Sequence, residues 1–371
     1  MRSHVTPSRW WCPVRRWIAV TALVVLLAAG ALISRGDVPC EVLESQPACY
    51  VALSPGPTSD TLQIVEVDGA PTFGSGGELL LTTISVEDGL TVSSWLRAVI
   101  SSAIETVPRE QVYPSDVDRD EIRERNAAAM ADSQLTATIA ALGAAGYDLE
   151  GEGARVVLIA DDAVTDQVRE DDLIVAVEDG RPVNDSTDVV EAVQSRSPGD
   201  RFRLHLVRDG RDVTVEVTLG SAPDDDERAY VGILLTTEID IPVEVMIDAG
   251  SIGGPSGGLI FALTIIDLLG EDDLTGGEVI AGTGTVNRDG EVGSVGGVRQ
   301  KVVGATERRD GAPPATVFLV PRANVEDALD APVRRDVTIV PVDDLEGALQ
   351  ALEDLRAGLR PAEAMVLSAG R

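Results

Sequence analysis

The stretch Gly250-Ser251-Ile252-Gly253-Gly254-Pro255-Ser256-Gly257-Gly258 is followed directly by the apolar run Leu259-Ile260-Phe261-Ala262-Leu263-Thr264-Ile265-Ile266. The first part predicts a turn, and the apolar run predicts a buried helix that begins beside Ser256. Backbone N–H groups point outward at a helix start, where the helix dipole favours negative charge. Ser256 is therefore a candidate nucleophile. The oxyanion and the substrate backbone are expected to lie against three of its neighbours: Gly254, Pro255 and Gly257.

The charge balance excludes several classes of function. The chain has 371 residues, of which 30 are basic and 62 acidic, so its net charge is −32. Such a field repels phosphate backbones, and we expect no nucleic-acid partner. We expect no metal and no other cofactor, because no EF-hand loop sequence occurs and a solvated acidic surface explains the aspartates.

Lys301 is the only lysine of the chain. A Walker A nucleotide site requires a lysine within a fixed pattern that does not surround Lys301, so no ATP site of this kind is expected. Arginine cannot act as a general base at neutral pH, whereas a desolvated lysine can. Lys301 thus marks a position where arginine would not serve, and a general preference for arginine in this sequence is the alternative explanation from composition alone.

Three separated motifs occur in order: Gly-Gly-Pro-Ser-Gly-Gly around Ser256, Thr-Gly at Thr283, and Val-Gly-Gly-Val-Arg-Gln-Lys ending at Lys301. Together with the downstream Phe318-Leu319-Val320-Pro321-Arg322-Ala323-Asn324, they resemble the proteolytic domain of the Lon proteases over residues 230–350. The resemblance implies that Ser256 is the nucleophile, Lys301 the general base and Thr283 the residue that orients the lysine. It also implies polypeptide substrates and a hexameric ring.

The sequence departs from this family at one place. The residue before Gly-Pro-Ser is often acidic in ATP-dependent relatives, but here it is Gly253. Asp248 is the nearest acid upstream, and it either substitutes for the missing acid or lies in a surface turn. Ser251 and Ser294 also lie beside glycines, but neither belongs to the predicted helix start.

Residues 150–220 contain short β-like runs around one helical piece near 187–195, in an order that resembles a bacterial PDZ domain. This resemblance implies a peptide that adds as an extra strand, with its carboxylate held by backbone N–H groups. The residues expected to line that site are Gly151, Gly153, Val156, Val157 and Leu158. A spacer without a ligand is the alternative.

Residues 17–34 carry no charge, four arginines precede them and several acids follow. This pattern predicts a transmembrane helix, with the N-terminus cytoplasmic and the bulk of the chain outside, as a single-pass protein of the cell membrane. A cleaved signal peptide is the alternative. Cys40 and Cys49 would then lie in an oxidising compartment that permits a disulfide, with metal binding as the weaker alternative.

We expect an α+β multidomain protein with an N-terminal transmembrane helix. Helical spacing of Met130, Leu135, Ile139 and Leu142 predicts a long helix over about 118–145. The expected parts are a cytoplasmic stub and anchor (1–35), an N-terminal β/helical extracytoplasmic region (36–148), a PDZ-like β-rich domain (149–221), an acidic linker (222–228), a Lon-like α/β proteolytic domain (229–355) and a tail (356–371).

The expected function is that of a membrane-tethered, ATP-independent serine endopeptidase acting on exported or membrane polypeptides. Its PDZ-like domain would bind substrate termini or gate access. The alternative is a non-catalytic adaptor that uses the Lon-like fold for assembly and the PDZ-like domain for partners.

Overall fold

The computed structural model describes residues 17, 18, 20–26, 28, 30, 49–113, 119–149, 151–160, 163–223, 225–308 and 311–370. The strands are β1 (Tyr50–Asp60), β2 (Val65–Asp68), β3 (Glu78–Asp88), β4 (Glu105–Pro108), β5 (Gly151–Ile159), β6 (Leu173–Val177), β7 (Arg181–Pro182), β8 (Arg201–Arg208), β9 (Arg211–Thr218), β10 (Gly220–Ala222), β11 (Asp225–Tyr230), β12 (Ile233–Ile239), β13 (Glu244–Ile247), β14 (Val279–Gly282), β15 (Thr285–Val286), β16 (Val292–Gly293), β17 (Val317–Pro321), β18 (Val337–Val342) and β19 (Met365–Leu367).

The helices are α1 (Val92–Ile100), α2 (Arg109–Val112), α3 (Arg119–Ala144), α4 (Ser186–Gln194), α5 (Gly258–Leu269), α6 (Val298–Thr306), α7 (Val325–Leu329) and α8 (Leu345–Arg356). Short 3-10 helices cover Thr61–Gln63 and Arg322–Asn324. The chain forms two compact units, one made of residues 1–145 with 245–371 and the other of residues 146–244. We call them the outer unit and the inserted unit.

A seven-stranded sheet in the order β19-β18-β17-β14-β3-β1-β4 is the centre of the outer unit. Its central strands β3, β14, β17 and β18 run parallel to their neighbours in that group. Parallel strands are buried on both faces and therefore consist of continuous apolar runs. Leu79, Leu80 and Leu81 of β3 are such a run, and each is at most 2 % exposed.

Alternation along these strands sends side chains into two separate cores. Leu79 and Leu81 belong to the core that also contains the apolar residues of α5, whereas Leu80 belongs to the core that contains Val298 and Val302 of α6. The helices α5 and α6 therefore cover opposite faces of the sheet. Both begin near the carboxyl end of β14, the edge at which open α/β sheets place their ligands.

The inserted unit has its own sheet, in the order β12-β5-β6-β8-β9, and β7 pairs with β6. Its core includes Val156, Ile174, Phe202, Leu204 and Leu206, all at most 1 % exposed, and α4 contributes Val189, Ala192 and Val193. The strands β8 and β9 form a regular hairpin across Arg208 and Arg211. This unit therefore has the apolar core that an independent domain needs.

The structure divides the chain differently from the sequence prediction. Residues 36–148 were expected to form a separate region, but β1 and β3 from this segment lie inside the outer sheet, and Leu80 pairs with Ala281. The inserted unit also extends past the predicted 149–221, because β12 pairs with β5 along its length. Pairing between segments about 200 positions apart leaves no local signal, and the sequence pattern could not reveal it.

Two smaller predicted parts also prove to be ordered structure. The acidic linker at 222–228 contains most of β11, which pairs with β10 as a hairpin. The predicted tail at 356–371 contains β19, which pairs with β18 and buries Leu367. Exposed acidic side chains on a hairpin resemble a solvated linker in composition, and a three-residue edge strand is too short to show alternation.

The prediction of a transmembrane helix needs correction. Among the described residues, no helix is long and apolar enough to cross a membrane. The predictions of a transmembrane anchor and of a single-pass protein of the cell membrane are therefore wrong.

The structure describes one of the two cysteines of the predicted disulfide. Cys49 is disulfide-bonded and buried. Cys40, its expected partner, lies outside the described residues, and the pairing of the two stays a prediction.

Two fragments test this division of the chain. Residues 146–244 contain a complete core, and we expect them to unfold cooperatively on their own. Residues 229–371 begin at the predicted domain boundary but lack β1, β3 and α3, so β14 loses one of its partners, and we expect no cooperative transition. Thermal denaturation followed by circular dichroism measures both, and a cooperative transition of the second fragment would contradict the division.

Candidate active site

Ser256 lies in the turn that leads into α5. Gly254 has φ of 89°, a left-handed conformation that favours glycine, and the helix begins at Gly258. The first residues of α5 are buried, whereas Ser256 itself is only half-buried. The turn thus places one partly exposed hydroxyl beside an otherwise buried helix start.

Lys301 lies in the first part of α6, which is preceded by Gly297 with φ of 70°. Its side chain is directed into the protein, and the residue is only 3 % exposed. Burial lowers the pKa of Lys301 from 10.5 to about 8, because the charged ammonium is poorly solvated there. A useful fraction of this lysine is therefore neutral near physiological pH.

Thr283 follows the last residue of β14, so the sheet itself fixes its position. Its N–H donates to the carbonyl of Leu319 on the neighbouring strand at 3.1 Å. The hydroxyl of Thr283 donates to the carbonyl of Ser256 at 3.0 Å and is 2.9 Å from Nζ of Lys301. This side chain is fully buried and connects the nucleophile turn to the lysine.

Nζ of Lys301 lies 2.8 Å from Oγ of Ser256. A neutral amine has two N–H donors and one lone pair. With one N–H directed to Thr283, the lone pair can face the Ser256 hydroxyl and accept its proton. The three predicted catalytic residues therefore form one hydrogen-bonded group, across separations of 45 and 18 positions in the sequence.

Asn324 holds the loop that precedes α6. Its side-chain oxygen accepts from the N–H of Val295 at 2.9 Å, and its Nδ2 donates to the carbonyl of the same residue at 3.1 Å. Asn324 is buried, and these two bonds fix the loop from which the lysine helix starts. The sequence placed this residue in a Pro-x-x-Asn motif but assigned it no contact.

The predicted oxyanion residues need correction. The N–H of Gly254 donates to the carbonyl of Asn126 at 2.9 Å, so it is already used, and Pro255 has no N–H. In the described part of the chain, the N–H groups of Ser256 and Gly257 donate to no protein acceptor. These two backbone groups are the donors that remain for an oxyanion.

The other candidates of the sequence fall outside the site. Asp248 is exposed and its carboxylate accepts from the N–H of Gly250 at 3.0 Å, which makes it part of a surface turn. Ser251 and Ser294 are exposed, and the described hydrogen bonds of Lys301 go to other hydroxyls. Gly253 is exposed, and a Cβ at this position would lie 3.1 Å from Cβ of Asn126, a close contact with α3.

A cavity of about 420 Å³ opens beside the nucleophile turn in the outer unit. Residues of α3, of the turn and of the β15–β16 hairpin line it, among them Asp132, Ser133, Pro255, Thr285 and Glu291. It is large enough to take a side chain of a bound polypeptide. In the described residues, no three His, Cys, Asp or Glu side chains lie together in a way that could hold a metal ion.

The predicted peptide site of the PDZ-like domain also needs correction. Val156, Val157 and Leu158 lie on β5, which pairs with β12 along its length and with β6 at Ala154 and Arg155. A peptide cannot add where β12 already lies.

Gly151 and Gly153, the predicted carboxylate-binding residues, belong to the same strand, with their backbones packed against Asn184 and Ile174. The sequence could not show that a strand formed by residues 233–239 occupies this edge.

Comparison with known families agrees with this organisation. Residues 140–219 match the family described as PDZ domain, and residues 209–353 match the family described as Lon protease (S16) C-terminal proteolytic domain. The chain joins a PDZ domain to a Lon proteolytic domain. The latter is of the serine type, and its matched range contains the Ser256, Thr283 and Lys301 group. Residues 50–139 lie outside both ranges, although they complete the outer sheet.

Two curated relatives are named Lon protease 2. One, from Herpetosiphon aurantiacus, is 33 % identical over 114 residues, and one from Syntrophobacter fumaroxidans is 34 % identical over 116 residues. Each alignment covers 30 % of this chain and 13 % of the relative. The PDZ domain of the SdrC-like protein from Listeria innocua is 19 % identical, with 22 % of this chain and 92 % of that chain covered. Its TM-score is 0.21.

Because Lys301 is the only lysine, its protonation can be observed directly. In protein labelled with ¹³C at the lysine ε carbon, we expect a single signal that titrates with a midpoint at about 8. Unfolding in urea should return the midpoint to about 10.4, because solvation of the ammonium is restored. A midpoint near 10.4 in the folded protein would refute the burial of this amine.

Proposed function

We propose that this chain is an ATP-independent serine endopeptidase that hydrolyses polypeptides with a Ser256–Lys301 dyad. The observation that carries the proposal is the 2.8 Å contact between Oγ of Ser256 and the buried Nζ of Lys301. A hydroxyl becomes a good nucleophile when an adjacent base takes its proton, and a lysine becomes a base when burial lowers its pKa. Both conditions are supported at this one contact.

The proton follows a short path in the proposed reaction. Nζ of neutral Lys301 takes the proton of Ser256 as Oγ attacks the substrate carbonyl carbon. The resulting ammonium gives the proton to the leaving amine when the peptide C–N bond breaks, which leaves an acyl group on Ser256. Nζ of Lys301 then takes a proton from the water that attacks the ester, and it gives this proton to Oγ of Ser256 as the ester bond breaks and the acid product leaves. Thr283 keeps Nζ in place by accepting one of its hydrogens.

ATP independence rests on the composition of the chain. A Walker A site needs a lysine, and the single lysine is buried beside Ser256. The position before Gly-Pro-Ser, often acidic in ATP-dependent relatives, is Gly253 in this chain. We therefore propose that the substrates are unfolded or loosely folded polypeptides, which need no energy-dependent unfolding before cleavage.

Activity should depend on both members of the dyad. With a denatured protein such as labelled casein and no ATP, we expect cleavage by the wild type. Ser256→Ala should reduce the rate to background, and Lys301→Arg should reduce it at least about 100-fold, because arginine stays protonated. The rate of the wild type should rise about tenfold per pH unit below 8 and level off above it.

Ser294→Ala is the matched control for that experiment, because Ser294 also lies beside a glycine but is exposed. It should cleave like the wild type. Equal cleavage by Ser256→Ala and the wild type would exclude the dyad. Absence of cleavage by the wild type, with a folded protein, would favour the alternative of a non-catalytic adaptor.

We propose that the PDZ domain binds polypeptide C-termini in a groove between α4 and β12. β12 is the edge strand of its sheet, so one side of it is open to an added strand. A cavity of about 190 Å³ lies there, lined by Val189, Val190 and Val193 of α4 and by Ile233 and Leu235 of β12. Gly232, with φ of 85°, precedes the strand.

Two exposed apolar residues, one in each candidate site, allow an experiment to distinguish this groove from the site on β5 that the sequence predicted. Val190 lines the groove and is 43 % exposed, whereas Leu158 lies on β5 and is 50 % exposed. In residues 146–244 alone, Val190→Glu should weaken binding of a fluorescent peptide with an apolar free C-terminus at least about tenfold, and Leu158→Glu should not. Fluorescence anisotropy measures both. The reverse order would place the site on β5.

A further inference from the structure

The long helix α3 touches the nucleophile turn at two points. The carbonyl of Asn126 accepts from the N–H of Gly254 at 2.9 Å, and the hydroxyl of Ser133 donates to the carbonyl of Pro255 at 2.9 Å. Asn126 and Ser133 are seven positions apart and therefore lie on the same face of the helix. Ser133 is only 3 % exposed, so its hydroxyl bonds within the protein and has little access to water.

Ser133 also contacts the start of α5. A Cβ at Gly258 would lie 3.1 Å from Oγ of Ser133, so this hydroxyl packs directly against the first residue of the nucleophile helix. In the described residues, the carbonyl of Pro255 accepts one other hydrogen bond, from the N–H of Gly258, with a long N to O distance of 3.4 Å. Ser133 is therefore the main partner of that carbonyl.

The carbonyl of Pro255 and the N–H of Ser256 belong to the same peptide unit. That unit is planar and trans, so the direction of the carbonyl fixes the opposite direction of the N–H. The N–H of Ser256 donates to no acceptor within the described residues. A hydroxyl that holds the carbonyl therefore sets the direction of a free donor on the nucleophile itself.

We propose that Ser133 is a positioning residue whose hydroxyl holds the Pro255 carbonyl, so that the Ser256 N–H is directed at the oxyanion. The inference rests on the proposed peptidase function. A directed donor acts on the charge that develops in the transition state, and it should affect kcat more than KM. Removal of a whole oxyanion donor costs about 100-fold to 1000-fold in kcat, and loss of its direction should cost part of that.

The test compares Ser133→Ala, Ser133→Thr and a control, Thr138→Val. Thr138 is a buried hydroxyl on the same helix, and among the residues that the structure describes it donates only to the carbonyl of Gln134 within that helix. The substrate is a fluorogenic casein peptide that the wild type cleaves, and the inhibitor is a peptide boronate, which adds to Ser256 as a tetrahedral species. Each variant is assayed for kcat, KM, the pH profile and boronate affinity.

We expect Ser133→Ala to lower kcat about 10-fold to 100-fold and to weaken the boronate by a similar factor, with KM within about threefold. Ser133→Thr keeps the hydroxyl and should recover most of the activity, and Thr138→Val should resemble the wild type. The midpoint of the pH profile should stay near 8 in all of them, because Lys301 bonds to other hydroxyls.

A kcat of Ser133→Ala equal to that of the wild type would overturn the role of Ser133. So would a fall in kcat joined by a shifted pH midpoint, since this would indicate general damage to the dyad. Neither result touches the dyad assignment itself. A folded wild type that neither cleaves the peptide nor binds the boronate would instead overturn the proposed function.

Discussion

The burial of one amine governs the structure of this site. Moving the pKa of Lys301 from 10.5 to about 8 corresponds to about 3 kcal/mol of unfavourable interaction with the charged form. The folded state bears this full cost below pH 8 and is relieved of it as the pH rises toward 10.5, where the unfolded chain also loses its proton. Only an extensive core can sustain such a cost, and the apolar residues of α6 and of the central strands provide it.

The sheet and its helices hold the site from different directions. Thr283 is fixed by β14, Lys301 by α6 on one face, and Ser256 by α5 on the other face. α3 and Asn324 then fix the two loops that carry the nucleophile and precede the lysine helix. The inserted unit lies in the chain between α3 and β13, and α3 itself contacts the nucleophile turn through Asn126 and Ser133.

Local patterns predicted several elements well. The apolar run after Gly258 forms α5, and the spacing of Met130, Ile139 and Leu142 corresponds to α3. Patterns failed where pairing partners are distant. The strand β3 joins β14 across about 200 positions, and β12 covers the edge of β5 that the sequence left free for a peptide.

The sequence by itself determined which residues could do the chemistry. They are a serine at a glycine-rich helix start, a threonine after a strand, and the single lysine of a chain whose other basic side chains are arginine and histidine. Residue type and spacing are local properties, and they are written in the chain. Only the tertiary structure decided that the lysine is desolvated, that Oγ and Nζ lie 2.8 Å apart, and that Ser256 and Gly257 rather than Gly254 keep free N–H groups. Burial and hydrogen-bond partners arise from segments that are far apart in sequence, and they exist only once the sheet has assembled.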